Sequence, residues 1–270
     1  MNGRILIIPD VHGRTFGKKA LDTGEYEKVI FLGDYVDPYE FEGINTTKAI
    51  ANFKNILSLK ITNPDKVVLL LGNHDMGYLS DYYQALAGSS RHDYENEEEL
   101  QHLFRGWSRL FQLAYEETIG ESRRTPRRPE EQQGPQRVLL PAASRFLFTH
   151  AGVTQTWFHQ NSHVIINPSA ENLNGLLSTD KGIETLGQVG RNRGGYYESG
   201  SMVWADVDEL ASSAPLPATY QIVGHSMQFA GPIITEHFAC LDYRAAFSLD
   251  QKGEIKQVTE MSPFNEQFIV

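Results

Sequence analysis

Asn73, His74 and Asp75 stand directly after an apolar run, in the stretch LLLGNHDMGYL. An amide, an imidazole and a carboxylate in a row at the end of a core segment call for partners. Four other places repeat the arrangement: Asp10-Val-His12-Gly13, Gly33-Asp34-Tyr35-Val36-Asp37, Thr149-His150-Ala151-Gly152 and Gly224-His225-Ser226. Each follows a short apolar run, and each carries a small residue. A lone Gly-Asn-His-Asp is an ordinary turn, and a lone histidine after a strand is an ordinary structural residue. Five such clusters at successive strand ends point instead to one site.

The residue types define the chemistry. Carboxylates, an amide oxygen and imidazoles, with no thiolate, suit manganese, iron or zinc better than a soft ion. Asp10 and His12 lie two apart, so on an extended strand end both side chains reach the same way, towards one metal. Asp34 has two oxygens and can bridge a second ion. Asn73 offers a neutral oxygen there, and His150 and His225 complete that ion's shell. Two ions about 3.5–4 Å apart can clamp a phosphoryl oxygen and lower the pKa of a bound water from 15.7 towards about 7. His74 is then free to donate a proton to the leaving oxygen, oriented by a carboxylate, either Asp37 or Asp75.

The elements that must position these groups are short and apolar. RILIIPD (4–10), KVIFLGD (28–34) and KVVLLLGN (66–73) are continuous apolar runs, the pattern of strands buried on both faces. Between the second and third, Ile50, Phe53, Ile56 and Leu57 recur at helical spacing behind Asn45 or Thr46 as N-cap. Strand, helix, strand predicts a parallel crossover. RFLFTH (145–150), YQIVGH (220–225), FACLDY (238–243) and AAFSLD (245–250) are further strands, the last two a hairpin-like pair. The fold class is α/β: a layered α/β sandwich of mixed sheets flanked by helices. In open sheets of this kind ligands bind outside the carboxyl ends of the parallel strands.

A single domain is expected over 1–270, with a helical and loop insertion at 81–136. Leu100, Leu103, Phe104, Trp107, Leu110 and Phe111 predict one amphipathic helix within it. GESRRTPRRPEEQQGPQ (120–136) predicts a polar, proline-broken loop, whose Arg123, Arg124, Arg127 and Arg128 read as a solvated run. The position of the insertion, after the Gly-Asn-His-Asp block, suggests a lid or selectivity wall.

With 24 basic and 34 acidic residues the net charge is −10, which argues against a duplex nucleic acid held through its phosphates. No apolar run is long enough for a membrane span. One cysteine, Cys240, excludes a disulfide within the chain, fits a cytoplasmic protein and reads as a packed thiol. The pattern is silent on oligomeric state.

The chain resembles the calcineurin-like metallophosphoesterases, whose ordered blocks are D-x-H-G, G-D-x-x-D, G-N-H-[DE], a later histidine followed by small residues, and G-H. Here they are DVHG, GDYVD, GNHD, THAG and VGHS, from Asp10 to His225. GDYVD and VWAD look most like the phosphoprotein phosphatase branch. A second histidine two residues after the last one is common in relatives but absent from that branch, and Met227 stands there. The resemblance implies Asp10 and His12 on a first metal, Asp34 as bridge, Asn73, His150 and His225 on a second, and His74 as general acid paired with Asp37. It implies two divalent ions, manganese first, with iron or zinc as alternatives.

One departure stands out. The branch follows its GDYVD-type block with a phosphate-binding arginine, and here Pro38 follows. Arg191 and Arg193, among glycines upstream of VWAD, and Arg14, just after DVHG, are the candidate replacements, because a guanidinium grips phosphate bidentately. The expected activity is hydrolysis of phosphomonoesters, of the serine/threonine phosphoprotein phosphatase kind, by in-line attack of a metal-bound hydroxide. The alternatives are a phosphoanhydride hydrolase of the dinucleoside tetraphosphatase type, or a non-catalytic interaction protein on the same scaffold.

Overall fold

The computed structural model describes residues 4–119 and 145–262. Two mixed sheets form its centre. The first has strands β1 (Arg4–Ile8), β2 (Lys28–Phe31), β3 (Val67–Leu70), β4 (Phe111–Gln112), β10 (Phe247–Asp250) and β11 (Ile255–Gln257), in the order β11-β10-β1-β2-β3-β4. The second has β5 (Ala114–Thr118), β6 (Arg145–Thr149), β7 (Thr219–Val223), β8 (Ile233–Ile234) and β9 (Phe238–Cys240), in the order β5-β6-β7-β9-β8. β1 to β4 run parallel, as do β6, β7 and β9.

Alternation along each strand explains the layers. Ile5 and Ile7 of β1, Ile30 of β2 and Val68 and Leu70 of β3 pack with Phe146, Phe148, Tyr220 and Ile222, filling the space between the sheets. Leu6, Ile8, Val29, Phe31, Val67 and Leu69 point the other way, into a second cluster under the helices. Both faces are covered, which is why the runs are continuously apolar.

The helices are α1 (Phe16–Thr23), α2 (Thr46–Thr62), α3 (Asn73–Leu79), α4 (Asp81–Ala87), α5 (Glu97–Gly106), α6 (Gln155–Gln160), α7 (Ala170–Gly175), α8 (Asp180–Leu186) and α9 (Val207–Ser212). The expected crossover is α2. Asn45 caps it, its side chain accepting the Thr47 N–H at 2.8 Å, a contact that contributes about 1 kcal/mol. Its buried face is Ile50, Phe53, Ile56 and Leu57 with Ala49.

Three expectations change. FACLDY and AAFSLD are not a hairpin: β9 pairs with β7 and β8, whereas β10 pairs with β1 and β11. The six residues between them carry the chain from one sheet to the other, with Arg244 in the left-handed region at φ 54°. The predicted amphipathic helix stops at Gly106; a 3₁₀ turn follows at Ser108–Leu110, and Phe111 enters β4. The segment 81–136 therefore supplies a strand to each sheet, β4 beside β3 and β5 beside β6, in addition to the helices α4 and α5. The predicted loop at 120–136, with Arg123, Arg124, Arg127 and Arg128, lies outside the described residues.

Among the described residues no helix is long and apolar enough to cross a membrane. Cys240 is fully buried, and burial pushes its thiol up to about 12. Only a thiolate attacks a disulfide reagent. Ellman's reagent at pH 8 should thus label the native protein slower than the urea-unfolded chain by about two orders of magnitude or more. Equal rates would show that the thiol is accessible.

Candidate active site

β1, β2, β3 and β7 each stop just before one of the five polar clusters, and β6 ends on the first residue of its cluster, Thr149. Past their ends the backbone turns sharply. His12, Asp34, Asp37 and His225 all take positive φ, at 41°, 52°, 56° and 66°. Non-glycine residues rarely do so, and such conformations concentrate at functional sites. His12 is therefore presented by a turn beyond the end of β1, and the extended alternation expected for Asp10 and His12 does not apply.

Small residues let the carboxylates come close. A Cβ on Gly72 would lie 2.1 Å from Asp34 Oδ1, and one on Gly224 would lie 2.1 Å from Asp10 Oδ1. Only a bare Cα fits at either place.

The clusters meet. Asp34 Oδ2 lies 3.4 Å from His12 Nε2 and 3.5 Å from His150 Nε2. His150 Nε2 is also 3.1 Å from both Asn73 Oδ1 and His225 Nδ1. Two groups have ligand atoms within 4.8 Å of one another: His12, Asp34 and His74, and Asp34, His150 and His225. Asp34 belongs to both. Asp10 stands just outside them, its two oxygens accepting the His225 N–H at 2.9 and 3.0 Å.

Proton positions show what these groups can hold. His12 and His150 donate Nδ1–H to the carbonyls of Val36 and Leu32, each at 2.8 Å. Their Nε2 lone pairs therefore face Asp34 and Asn73 oxygens. Burial pushes His12 and His225 well below the usual imidazole range, with Arg91 and Arg193 adding to the effect. Neutral imidazole is the form that binds metal. Lone pairs of nitrogen and oxygen, all buried and aimed at one another, repel unless a cation lies among them. The donor set fits two divalent ions sharing Asp34.

His74 lies beside this centre. Its Nδ1 donates to Asp37 Oδ2 at 2.7 Å, so the partner is Asp37 and not Asp75. Asp75 instead accepts backbone N–H groups from Gly72 (2.8 Å), Asp34 (2.7 Å) and Tyr35 (3.0 Å), tying the ends of β2 and β3 together. Asp37 also accepts from the Tyr78 hydroxyl at 2.5 Å. Burial pushes His74 down to about 3 and Asp37 up to about 7. Both shifts favour neutral forms, leaving His74 Nε2 as an acceptor.

A sequence model described as calcineurin-like phosphoesterase matches residues 3–229, the stretch that contains all five clusters. The chain belongs to the calcineurin-like phosphoesterase family. That family binds a dinuclear metal site. A probable serine/threonine-protein phosphatase of Encephalitozoon cuniculi is 35% identical over 85 residues, which span 30% of this chain and 17% of that protein. Two solved structures share the fold. A protein serine/threonine phosphatase from Saccharomyces cerevisiae aligns over 96% of this chain and 81% of its own, at TM-score 0.51 and 13% identity. A cold-active protein tyrosine phosphatase aligns over 98% and 81%, at 0.50 and 13%.

The three arginines expected to contact substrate fall in different places. Arg14 is buried. It donates to both Glu42 oxygens, at 2.8 and 2.7 Å, and to the Asp10 carbonyl at 2.9 Å. All three of its nitrogens are tied to Glu42 or the Asp10 turn and its side chain is buried, which corrects its assignment as a phosphate ligand. Arg191 is exposed on the 3₁₀ turn Arg191–Arg193 and has no hydrogen bond to the site among the described residues. Arg193 is anchored beside the centre: Nε lies 2.8 Å from Asp206 Oδ2, and Nη2 donates to Ser226 Oγ at 2.6 Å. It lines a cavity of about 270 Å³ with Leu86, Tyr196, Tyr197 and Trp204. The Trp204 ring is 5.7 Å from that of His225. Sequence reasoning missed Arg91, Ser89 and Tyr78, which reach His74 or Asp37 from outside the five blocks.

Proposed function

We propose that this phosphoesterase hydrolyses phosphomonoesters, with phosphoserine or phosphothreonine proteins as the leading substrate class. The observation that carries this reading is the His74–Asp37 pair beside two ligand clusters that share Asp34. One ion would be held by Asp10, His12 and Asp34, the other by Asp34, Asn73, His150 and His225. Manganese is the first assignment, because a thiol-free set of oxygens and imidazoles suits it. Bound there, the ions supply positive charge that polarises a phosphoryl oxygen and acidifies a water.

The chain's own residues do the rest. Asp37 fixes the His74 ring by its 2.7 Å bond to Nδ1, leaving Nε2 directed at the centre. In this reading the neutral His74 of the resting site takes up a proton at Nε2 once a phosphoryl dianion is bound beside it, since that negative charge favours the imidazolium, and donates the proton to the departing ester oxygen, avoiding release of an alkoxide. The cavity by Trp204 and Arg193 gives room for the group esterified to phosphate. Its position next to His225 supports that use.

A substrate panel tests the proposal. Protein loaded with Mn²⁺ should turn over phosphoserine and phosphothreonine peptides and a chromogenic phosphomonoester, and EDTA should abolish this. A preference of orders of magnitude for a dinucleoside tetraphosphate would overturn it in favour of phosphoanhydride cleavage. No hydrolysis of any phosphoester, with a stable partner recovered instead, would point to an interaction protein.

A further inference from the structure

The replacement for the arginine missing after Asp37 comes from a loop that the family motifs do not include. We infer that Arg91 is the residue that grips the phosphoryl group; this rests on the phosphomonoesterase reading above. The loop between α4 and α5 carries Arg91 into the centre from 54 residues beyond Asp37 in sequence. Its Nη2 lies 3.0 Å from His74 Nε2 and 3.4 Å from His12 Nε2. Nη1 donates to the Asp37 carbonyl. Its guanidinium carbon sits 3.6 Å from the centre of the Tyr39 ring, a cation–π contact that holds the planar head in place.

The loop is fastened on both sides of Arg91. Ser89 Oγ lies 3.2 Å from His74 Nε2 and accepts the Arg91 N–H at 3.2 Å. The His92 ring stacks on Tyr78 at 4.3 Å between centres, and its Nε2 lies 3.1 Å from Glu97 Oε1. The Asp93 N–H donates to the Tyr78 hydroxyl at 2.7 Å, and that hydroxyl donates to Asp37. Asp37 thus sets the position of both His74 and the loop bearing Arg91.

Charge gives the reason for the arrangement. Among the described residues no carboxylate lies within ion-pair distance of the Arg91 guanidinium: its partners there are two imidazole nitrogens, a carbonyl and a ring face. The same imidazole, His12, faces the Asp34 cluster expected to hold a divalent ion. A guanidinium and a divalent ion around one imidazole repel each other unless an anion lies between them. A phosphoryl dianion is such an anion, and two N–H groups of a guanidinium can bond two of its oxygens. Arg14, the earlier candidate, is buried and bonded through all three of its nitrogens to Glu42 and the Asp10 carbonyl.

Calorimetric titration of inorganic phosphate into Mn²⁺-loaded protein tests the assignment. Arg91→Ala should weaken phosphate binding by about 10–100-fold, the scale of a charge-assisted pair. Arg91→Lys should recover only part, since an ammonium lacks the fork. Metal content should stay at the wild-type level in both. Phosphate binding unchanged in Arg91→Ala, with wild type binding and hydrolysing normally, would overturn the inference and leave the phosphomonoesterase reading standing. Loss of bound metal from Arg91→Ala, with phosphate affinity falling only in step, would also overturn it, by showing a structural role. Wild-type protein that neither binds phosphate nor cleaves phosphomonoesters would overturn both.

Discussion

Asp34→Asn should leave a folded protein that retains neither metal ion and whose turnover falls by at least about 10³-fold. Asp34 Oδ2 is within reach of both His12 and His150, at 3.4 and 3.5 Å. Its Oδ1 accepts the His74 N–H at 3.1 Å, and asparagine can keep that bond. The substitution therefore removes charge and one ligand lone-pair set without removing shape. With the ions absent, Asp34 is a carboxylate 2% exposed among lone pairs, a costly place for a charge. The metal-free variant should melt no lower than metal-free wild type. Metal analysis of the dialysed protein, read beside its melting temperature, gives the result. Two ions per chain in the variant would show that Asp34 is no bridge.

His74→Asn should behave in the opposite way: metal retained, turnover down by about 10²–10⁴-fold, the usual worth of a general acid. The loss should depend on the ester. An alkyl leaving group such as serine needs the proton and should suffer most, whereas an acidic phenol leaves without help and should suffer least. Asp37→Asn should show the same pattern in milder form, about 10–100-fold, because it only orients the ring. The structure also places His74 in a ligand cluster with His12 and Asp34. Metal loss from His74→Asn equal to that from Asp34→Asn would therefore make His74 a ligand and end its assignment as the acid.

The strands and the polar clusters at their ends were legible because their signals are local. A strand buried on both faces must be apolar throughout, and β1, β2, β3, β6 and β7 all begin within the expected runs or one residue before them. The polar groups that follow such runs stand out for the same reason. Short edge strands were not legible. β4 has two residues and β8 two, too few to show a period, and the pairing of β4 is decided by what lies beside β3. The hairpin expected for 238–250 failed because closeness in sequence says nothing about which sheet offers a free edge.

By itself the sequence determined which groups are available to the site: two carboxylates, an amide and four imidazoles. Those are properties of residue types at strand ends, and a strand end is a local event. Tertiary structure alone decided who partners whom. It gave His74 to Asp37 across 37 positions in the chain and committed Arg14 to Glu42 across 28. It also brought Arg91, 79 positions from His12, to the centre. Such pairings depend on how loops close in space, where a fraction of an ångström separates a bond from no contact, and nothing in one-dimensional spacing fixes that distance.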